Sequence, residues 1–409
     1  PQTITLDPTG TYYYLGNVDA GGAHVVDGWL WTYLFSGNNS VGAIDKVTSQ
    51  GAYRVIVGDN NANTTGAMNQ SAGDTLCSAN FGGYYDFTAN KGYAMYGFGG
   101  NDVIKGWNNN DTIWGGTGDD TLIGNAGVDN LNGEDGDDVF QYATMAAFIT
   151  SNAVVDNIDG GTTAETNGDK VVVDAAIALT TSDSLARLTS VEILAAGTQA
   201  SGDSARAHSI VLNTDAKLDS ITKIDLSADA ATASTGVVTL TGVTSNITIT
   251  GVAAGNNTLT GGAGSDTLTG GTAADTLIGA AGNDVYVFAN SAFASDVVTE
   301  ASSAGTDTLS ITSTANMSLL NTGTTLTTAG KIEQILITSG ATATFAGTQL
   351  TGEATKVNAT TSTAANLAIT VADGATNNFG SLLFTAFGSN DAFTSGTDTV
   401  AISVGAGTK

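Results

Sequence analysis

The sequence predicts an all-β chain in which short strands and glycine-rich loops alternate and stack in repeated turns. Two observations carry this expectation. Between Gly97 and Gln141 five consecutive units repeat every nine residues as Gly-x-x-Gly-x-Asp-x-apolar-x, with Asn109 replacing one second glycine. Elsewhere the 409-residue chain is rich in Thr, Val, Ile, Ala and Ser, has two prolines and four methionines, and shows no long amphipathic helical pattern.

Residues 1–96 form the first segment, expected to be a separate β-rich domain. Of the chain's 28 aromatic residues, 14 lie there, including Tyr12, Tyr13, Tyr14, Trp29, Trp31, Tyr33, Tyr84 and Tyr85. Such residues either fill a small β core or present a surface for assembly or adhesion, since Tyr and Trp anchor interfaces well.

Residues 97–141 are the five-unit block. Glycine and Asn tolerate the left-handed backbone of tight turns, so the first six positions of each unit form a loop. The last three alternate out, in, out, a minimal strand whose apolar residue (Ile104, Ile113, Leu122, Leu131, Phe140) is buried. One unit encloses no core, whereas stacked units do, and stacking brings the aspartates Asp102, Asp111, Asp120, Asp129 and Asp138 into facing loops. The block holds nine acidic residues against one base, Lys105, a net charge of −8. Carboxylates and loop carbonyls make an all-oxygen environment suited to a hard cation such as Ca²⁺, and with no Cys or His in the block zinc is disfavoured.

These residues resemble the RTX nonapeptide repeat, a catalogued calcium-binding signature, so the choice of ion does not rest on the oxygen set alone. The resemblance implies a parallel β-roll with two nonapeptides per turn. Asp102, Asp120 and Asp138 would then line one edge, and Asp111 and Asp129 the other.

Residues 142–251 read as a β-rich segment with alternating runs at Val237–Leu240 and Ile247–Thr250, and a short helical turn is expected over Ser182–Leu188. Residues 252–287 are a second, weaker roll. Asp266, Asp275 and Asp284 hold the acidic position, Leu268, Leu277 and Tyr286 the apolar one, and a degenerate leading unit carries Asn257 where Asp is expected. Residues 288–409 are again β-rich, with a run at Ile335–Thr338 and a late Gly396-Thr397-Asp398 strand entry.

The similarity between the two halves continues beyond the nonapeptides. Asp138 and Asp284 are 146 residues apart, Asp169 and Asp307 138, and Glu192 and Glu333 141, which points to duplication of a unit of about 140 residues. The expected architecture is therefore two parallel β-rolls embedded in β-solenoid or β-sandwich segments.

Twelve basic against 39 acidic residues give a net charge of −27, which disfavours nucleic acid and anionic lipid as partners. No apolar run reaches the length of a membrane span, and no charged-then-apolar stretch opens the chain. The lone Cys77 forms no internal disulfide and reads as a small buried residue. RTX proteins include zinc proteases, lipases and pore-forming toxins, yet the only histidines, His24 and His208, are isolated and no Gly-x-Ser-x-Gly string occurs. The densest acidic clusters sit in the repeat loops, where calcium accounts for them, and no enzymatic activity is expected.

The resemblance implies export through a type I system that reads a C-terminal signal, expected within Thr360–Lys409. It further implies a secreted, extracellular or cell-surface protein with Ca²⁺ as its cofactor. Two functions stay open. One is a structural protein that assembles with copies of itself into a surface layer or filament, with surface polysaccharide as a further partner. The other is an adhesin or biofilm matrix protein that binds glycan or cells through the N-terminal segment.

Overall fold

A computed structural model describes residues 92–106, 109–214, 220–289, 296–300, 305–317, 332–338 and 341–346, together with short strands elsewhere. Most of the aromatic segment and the Gly396-Thr397-Asp398 entry lie outside the described residues. The chain divides into two compact units, one of residues 1–174, 183–194 and 219–221, the other of the remainder.

In the first unit, alternate nonapeptides feed opposite parallel sheets. Strands Gly92–Gly99, Thr112–Thr117, Asn130–Asp135 and Asn157–Thr163 pair side by side in one sheet. Strands Val103–Lys105, Thr121–Ile123, Val139–Tyr142 and Lys170–Val173 pair in the other. Val103 aligns with Thr121 and Thr121 with Val139, so one turn takes 18 residues, as the implied roll requires. The eighth position of every unit points inward: Ile104, Ile113, Leu122 and Phe140 are wholly buried and Leu131 nearly so. Burying each such side chain stabilises by roughly 1.5–3 kcal/mol, and stacking makes the apolar column continuous.

The pairing extends upstream of Gly97. Strand Gly92–Gly99 runs through the 96/97 composition shift without a break and pairs with Tyr53–Val57, while Thr75–Cys77 pairs with Val103–Lys105. In a solenoid each turn needs only a neighbour to stack on, so a change in composition does not require a break in pairing.

In the second unit, strands Ala207–Val211, Thr235–Thr239, Asn257–Thr260, Thr276–Ile278 and Val297–Thr299 form one parallel sheet. Strands Thr248–Thr250, Thr267–Thr269, Val285–Phe288, Thr308–Ile311 and Gln334–Ile337 form another. Leu259, Leu268, Leu277, Tyr286 and Leu309 are fully buried along its interior. The alternating runs expected at 237–240, 247–250 and 335–338 are strands at Thr235–Thr239, Thr248–Thr250 and Gln334–Ile337.

The helical turn expected over Ser182–Leu188 is reduced to one turn closed by the Leu188 N–H onto the Leu185 carbonyl at 2.8 Å; Ser184 makes a parallel bridge to Ala153 and Leu188 opens the strand Leu188–Thr189. Ser184 N–H donates to the Asn152 carbonyl and the Ser184 and Arg187 carbonyls accept from Val154 and Ile158, so most of the segment's backbone bonds go to the preceding turn. The α-helix among the described residues is Met145–Phe148, capped by Thr144, whose hydroxyl accepts from the Ala147 N–H. No described helix is long and apolar enough to cross a membrane.

Candidate metal centre

The repeat aspartates do not lie on the surface. Asp102, Asp111, Asp120, Asp129 and Asp138 in the first roll, and Asp266, Asp275 and Asp284 in the second, are each at most 1 % exposed. A buried carboxylate is costly unless its oxygens are engaged, and here the two oxygens have different uses.

Oδ1 ties one turn to the next. The Asp102 N–H donates to Asp120 Oδ1, and the Asp120 N–H to Asp138 Oδ1, each at 2.7 Å. On the other edge Asp111 donates to Asp129 Oδ1 at 2.7 Å. In the second roll Asp266 donates to Asp284 Oδ1 at 2.8 Å, and Ile247 to Asp266 Oδ1 at 2.8 Å. The sequence-predicted aspartates thus form two rows per roll, with Asp102, Asp120 and Asp138 on one edge and Asp111 and Asp129 on the other.

Oδ2 is left facing the glycine loops. For Asp120, Asp129, Asp138, Asp275 and Asp284 this atom is buried and has no hydrogen-bond partner. Asp266 differs, because its Oδ2 accepts from the Gly262 N–H at 2.7 Å. The first glycine of each unit is where the loops pinch together: a Cβ on Gly133 would collide with Asp138 Oδ2 and the Gly160 carbonyl oxygen. Gly115 is caught in the same way between Asp120 Oδ2 and the Gly133 carbonyl. Glycine is required at these positions because carboxylate and carbonyl oxygens converge on its Cα.

The electrostatics follow. Burial, joined by neighbouring carboxylates, pushes Asp120, Asp129 and Asp138 up from 3.8 to about 7. Burial raises Asp275 and Asp284 to about 6 and moves Asp266 in the same direction. Rows of partnerless carboxylate oxygens beside carbonyls form an oxygen-only donor set that lacks positive charge, which fits a hard divalent cation.

Asn257 shows the shape of such a position directly. It occupies the aspartate position of the degenerate unit, and its Nδ2 lies within hydrogen-bond reach of four oxygens: Asp275 Oδ1 at 2.9 Å, Gly255 O at 3.0 Å, Val252 O at 3.1 Å and Gly270 O at 3.2 Å. Two amide hydrogens are shared among four oxygens in a buried cage. Its own Oδ1 accepts from the Val252 N–H at 2.8 Å. The amide nitrogen thus sits as an uncharged stand-in among the kind of donors a cation would take.

The rows extend beyond the nonapeptides into residues that the period does not reveal. Asp138 donates to Asp169 Oδ1 at 2.6 Å, Asp129 to Asp156 Oδ1 at 2.8 Å, Asp275 to Asp296 Oδ1 at 2.9 Å and Asp284 to Asp307 Oδ1 at 2.8 Å. The signal available in sequence is the Gly-Asp or Gly-Thr-Asp entry before a strand at Asp169 and Asp307. Its spacing is irregular: Asp156 follows Asp129 by 27 residues and Asp169 follows Asp138 by 31.

His208 is engaged elsewhere. Its Nδ1 accepts from the Ile177 N–H at 3.1 Å, so Nε2 carries the proton and donates to Asp229 at 3.0 Å, both side chains being fully buried. Burial, against the opposing pull of Asp229, lowers its proton affinity and keeps the ring neutral. A buried, doubly satisfied imidazole ties turns together.

Compared with known families, residues 95–113, 108–140 and 253–286 match the RTX calcium-binding nonapeptide repeat (4 copies). Neither curated proteins nor solved structures give a match to the chain.

Proposed function

The chain is an RTX-repeat protein, whose nonapeptides bind Ca²⁺, and on that premise we propose that it is a secreted structural protein that assembles with copies of itself into a cell-surface layer or extracellular filament. Asp102, Asp111, Asp120, Asp129, Asp138, Asp266, Asp275 and Asp284 hold the calcium, together with the loop carbonyls. A bound divalent cation supplies positive charge between stacked carboxylates, so folding and ion uptake are coupled. Where calcium is scarce the rolls are destabilised and the chain is open for export; outside the cell they close.

The observation that carries a structural role is the place of the carboxylates. They are interior parts of the stacked turns, each bonded to a neighbouring turn, and not groups aimed into a cleft. His208 is consumed by a structural pair, which supports a non-enzymatic role. For association, the strands turn neutral side chains outward, such as Thr235, Val237 and Thr258, so copies can approach without opposing rows of charge.

The aromatic density of residues 1–96 favours a second reading, an adhesin or matrix protein that binds glycan or cells through that segment. Electron microscopy of the full chain with and without millimolar calcium separates the two. Ordered sheets or fibres that require calcium support assembly, whereas dispersed monomers that bind glycan favour the adhesin.

A further inference from the structure

We propose that the cation row of the first roll continues past its last nonapeptide into an additional calcium site formed by Glu165, Asp169 and Glu192, with the Ser190 carbonyl beside it. The inference rests on the calcium reading of the rolls, but these residues lie outside the repeat: the family match over the first block ends at residue 140, and Asp169 follows Asp138 by 31 residues instead of 18.

One ligand atom from each of the three carboxylates lies within 4.8 Å of the others. Proximity of acids is not by itself a site, and two further observations point to a ligand. Asp169 is wholly buried, and although its Oδ1 accepts from the Asp138 N–H, its Oδ2 has no hydrogen-bond partner; nor does the buried Oε1 of Glu165. The oxygen clasp of the nonapeptides is also rebuilt here without their sequence. A Cβ on Gly160 would meet Asp169 Oδ2 and the Ser190 carbonyl, as one on Gly133 meets Asp138 Oδ2 and the Gly160 carbonyl.

The surroundings hold this arrangement. Ser190 adopts a left-handed φ of 49°, uncommon for a residue with a side chain. Glu192 Oε2 accepts from the Asp169 N–H at 2.9 Å, fixing one acid against another. The loop that carries Glu165 is pinned by Asp137, which accepts from the N–H groups of Thr166, Asn167 and Gly168 at 2.8–3.0 Å and from Asn167 Nδ2 at 2.8 Å. The charged groups that act on Asp169 are Asp138, Glu165 and Glu192, all acidic. Like charges this close repel strongly, and carboxylate and carbonyl donors without His or Cys select a hard, oxygen-seeking ion.

The second unit contains a comparable group. Asp284, Glu300 and Asp307 are all buried and bring ligand atoms within 4.8 Å of one another, at the point where the second repeat block ends. Its Asp307 is the duplicate of Asp169, and the contact that Glu192 makes in the first unit is repeated by Glu333, whose Oε2 accepts from the Asp307 N–H at 2.7 Å.

The test is calcium binding to the full chain by equilibrium dialysis, comparing wild type with Glu165→Gln and with Glu165→Asp. Glu165→Gln should bind one calcium fewer, or lose more at one site than the about 10–100-fold that outer-shell changes cost. Its circular dichroism at saturating calcium should match wild type, and Glu165→Asp should recover most of the binding. Unchanged stoichiometry and affinity in Glu165→Gln overturns the site while leaving the repeat sites intact. A wild-type chain that takes up no calcium overturns the calcium reading itself. Glu192→Gln provides an independent second ligand variant, and the same loss of a single ion is expected there.

Discussion

Replacing Asn257 by Asp reverses the logic of one cage, and its effect should change with calcium. In the native chain the Asn257 amide nitrogen donates among Val252, Gly255 and Gly270 carbonyls and Asp275 Oδ1. Asn257→Asp deletes both amide hydrogens, a loss of roughly 2 kcal/mol at about 1 kcal/mol per bond. It also sets a carboxylate oxygen against four acceptors, and an unpaired buried charge costs about 3–5 kcal/mol in comparable cases. Without calcium the variant should therefore be destabilised locally by a few kcal/mol. With calcium the new carboxylate completes an aspartate position like those of Asp275 and Asp284. An ion at a hundredfold its dissociation constant returns about 2.7 kcal/mol. The assay is hydrogen exchange in strands Asn257–Thr260 and Thr276–Ile278 with chelator and with saturating calcium, together with an ion count. Protection should fall in chelator, recover substantially with calcium, and bring one additional bound ion. An equal loss of protection in both conditions, with no added ion, would refute the reasoning that the amide fills a cation position.

Other outcomes follow from the same geometry. Asp120, Asp129 and Asp138 have folded values near 7 against 3.8 when exposed, so the folded state holds their protons more tightly. In chelator their contribution to stability is therefore full below about pH 4 and lost as pH rises through about 7; unfolding that instead becomes harder over that interval would contradict it. Gly133→Ala forces a methyl against Asp138 Oδ2 and the Gly160 carbonyl and should weaken calcium uptake, whereas Gly202→Ala, with nothing within 4 Å of its Cβ, should leave it unchanged. Phe140→Ala empties a wholly buried position and should cost about 3–5 kcal/mol in the first roll. A loss below about 1 kcal/mol, read by hydrogen exchange of Val139–Tyr142, would place the ring outside the core.

How much of this was legible in sequence depended on periodicity. The nine-residue spacing placed Ile104, Ile113, Leu122, Leu131 and Phe140 inside and put Asp102 through Asp138 in loops, because loop and strand chemistry repeat in every unit. The pairing of units into turns of 18 residues came from resemblance, since a nine-residue repeat alone does not say how many units close a turn. Legibility declines where turn length varies. Asp156, Asp169 and Glu192 continue the rows at separations of 27, 31 and 23 residues, so no fixed offset marks them. Glu165 carried no signal, because its place depends on a loop fastened by Asp137. Asn257 was visible as a departure from the repeat, but its role required the four oxygens around Nδ2, which come from both its own unit and the next turn. The segment Ser182–Leu188 kept only one turn because its apolar residues suit a helix in isolation, whereas the neighbouring turn supplies most of its backbone hydrogen-bond partners.

The central claim is that calcium is part of the folded interior of both rolls. Calcium titration of the full chain in the presence of a competing chelator, followed by far-ultraviolet circular dichroism and by counting bound ions, tests it most directly. The β signal should rise cooperatively with calcium and saturate when several ions are bound per chain. A β signal already complete in excess chelator, and unchanged by calcium, would contradict the account.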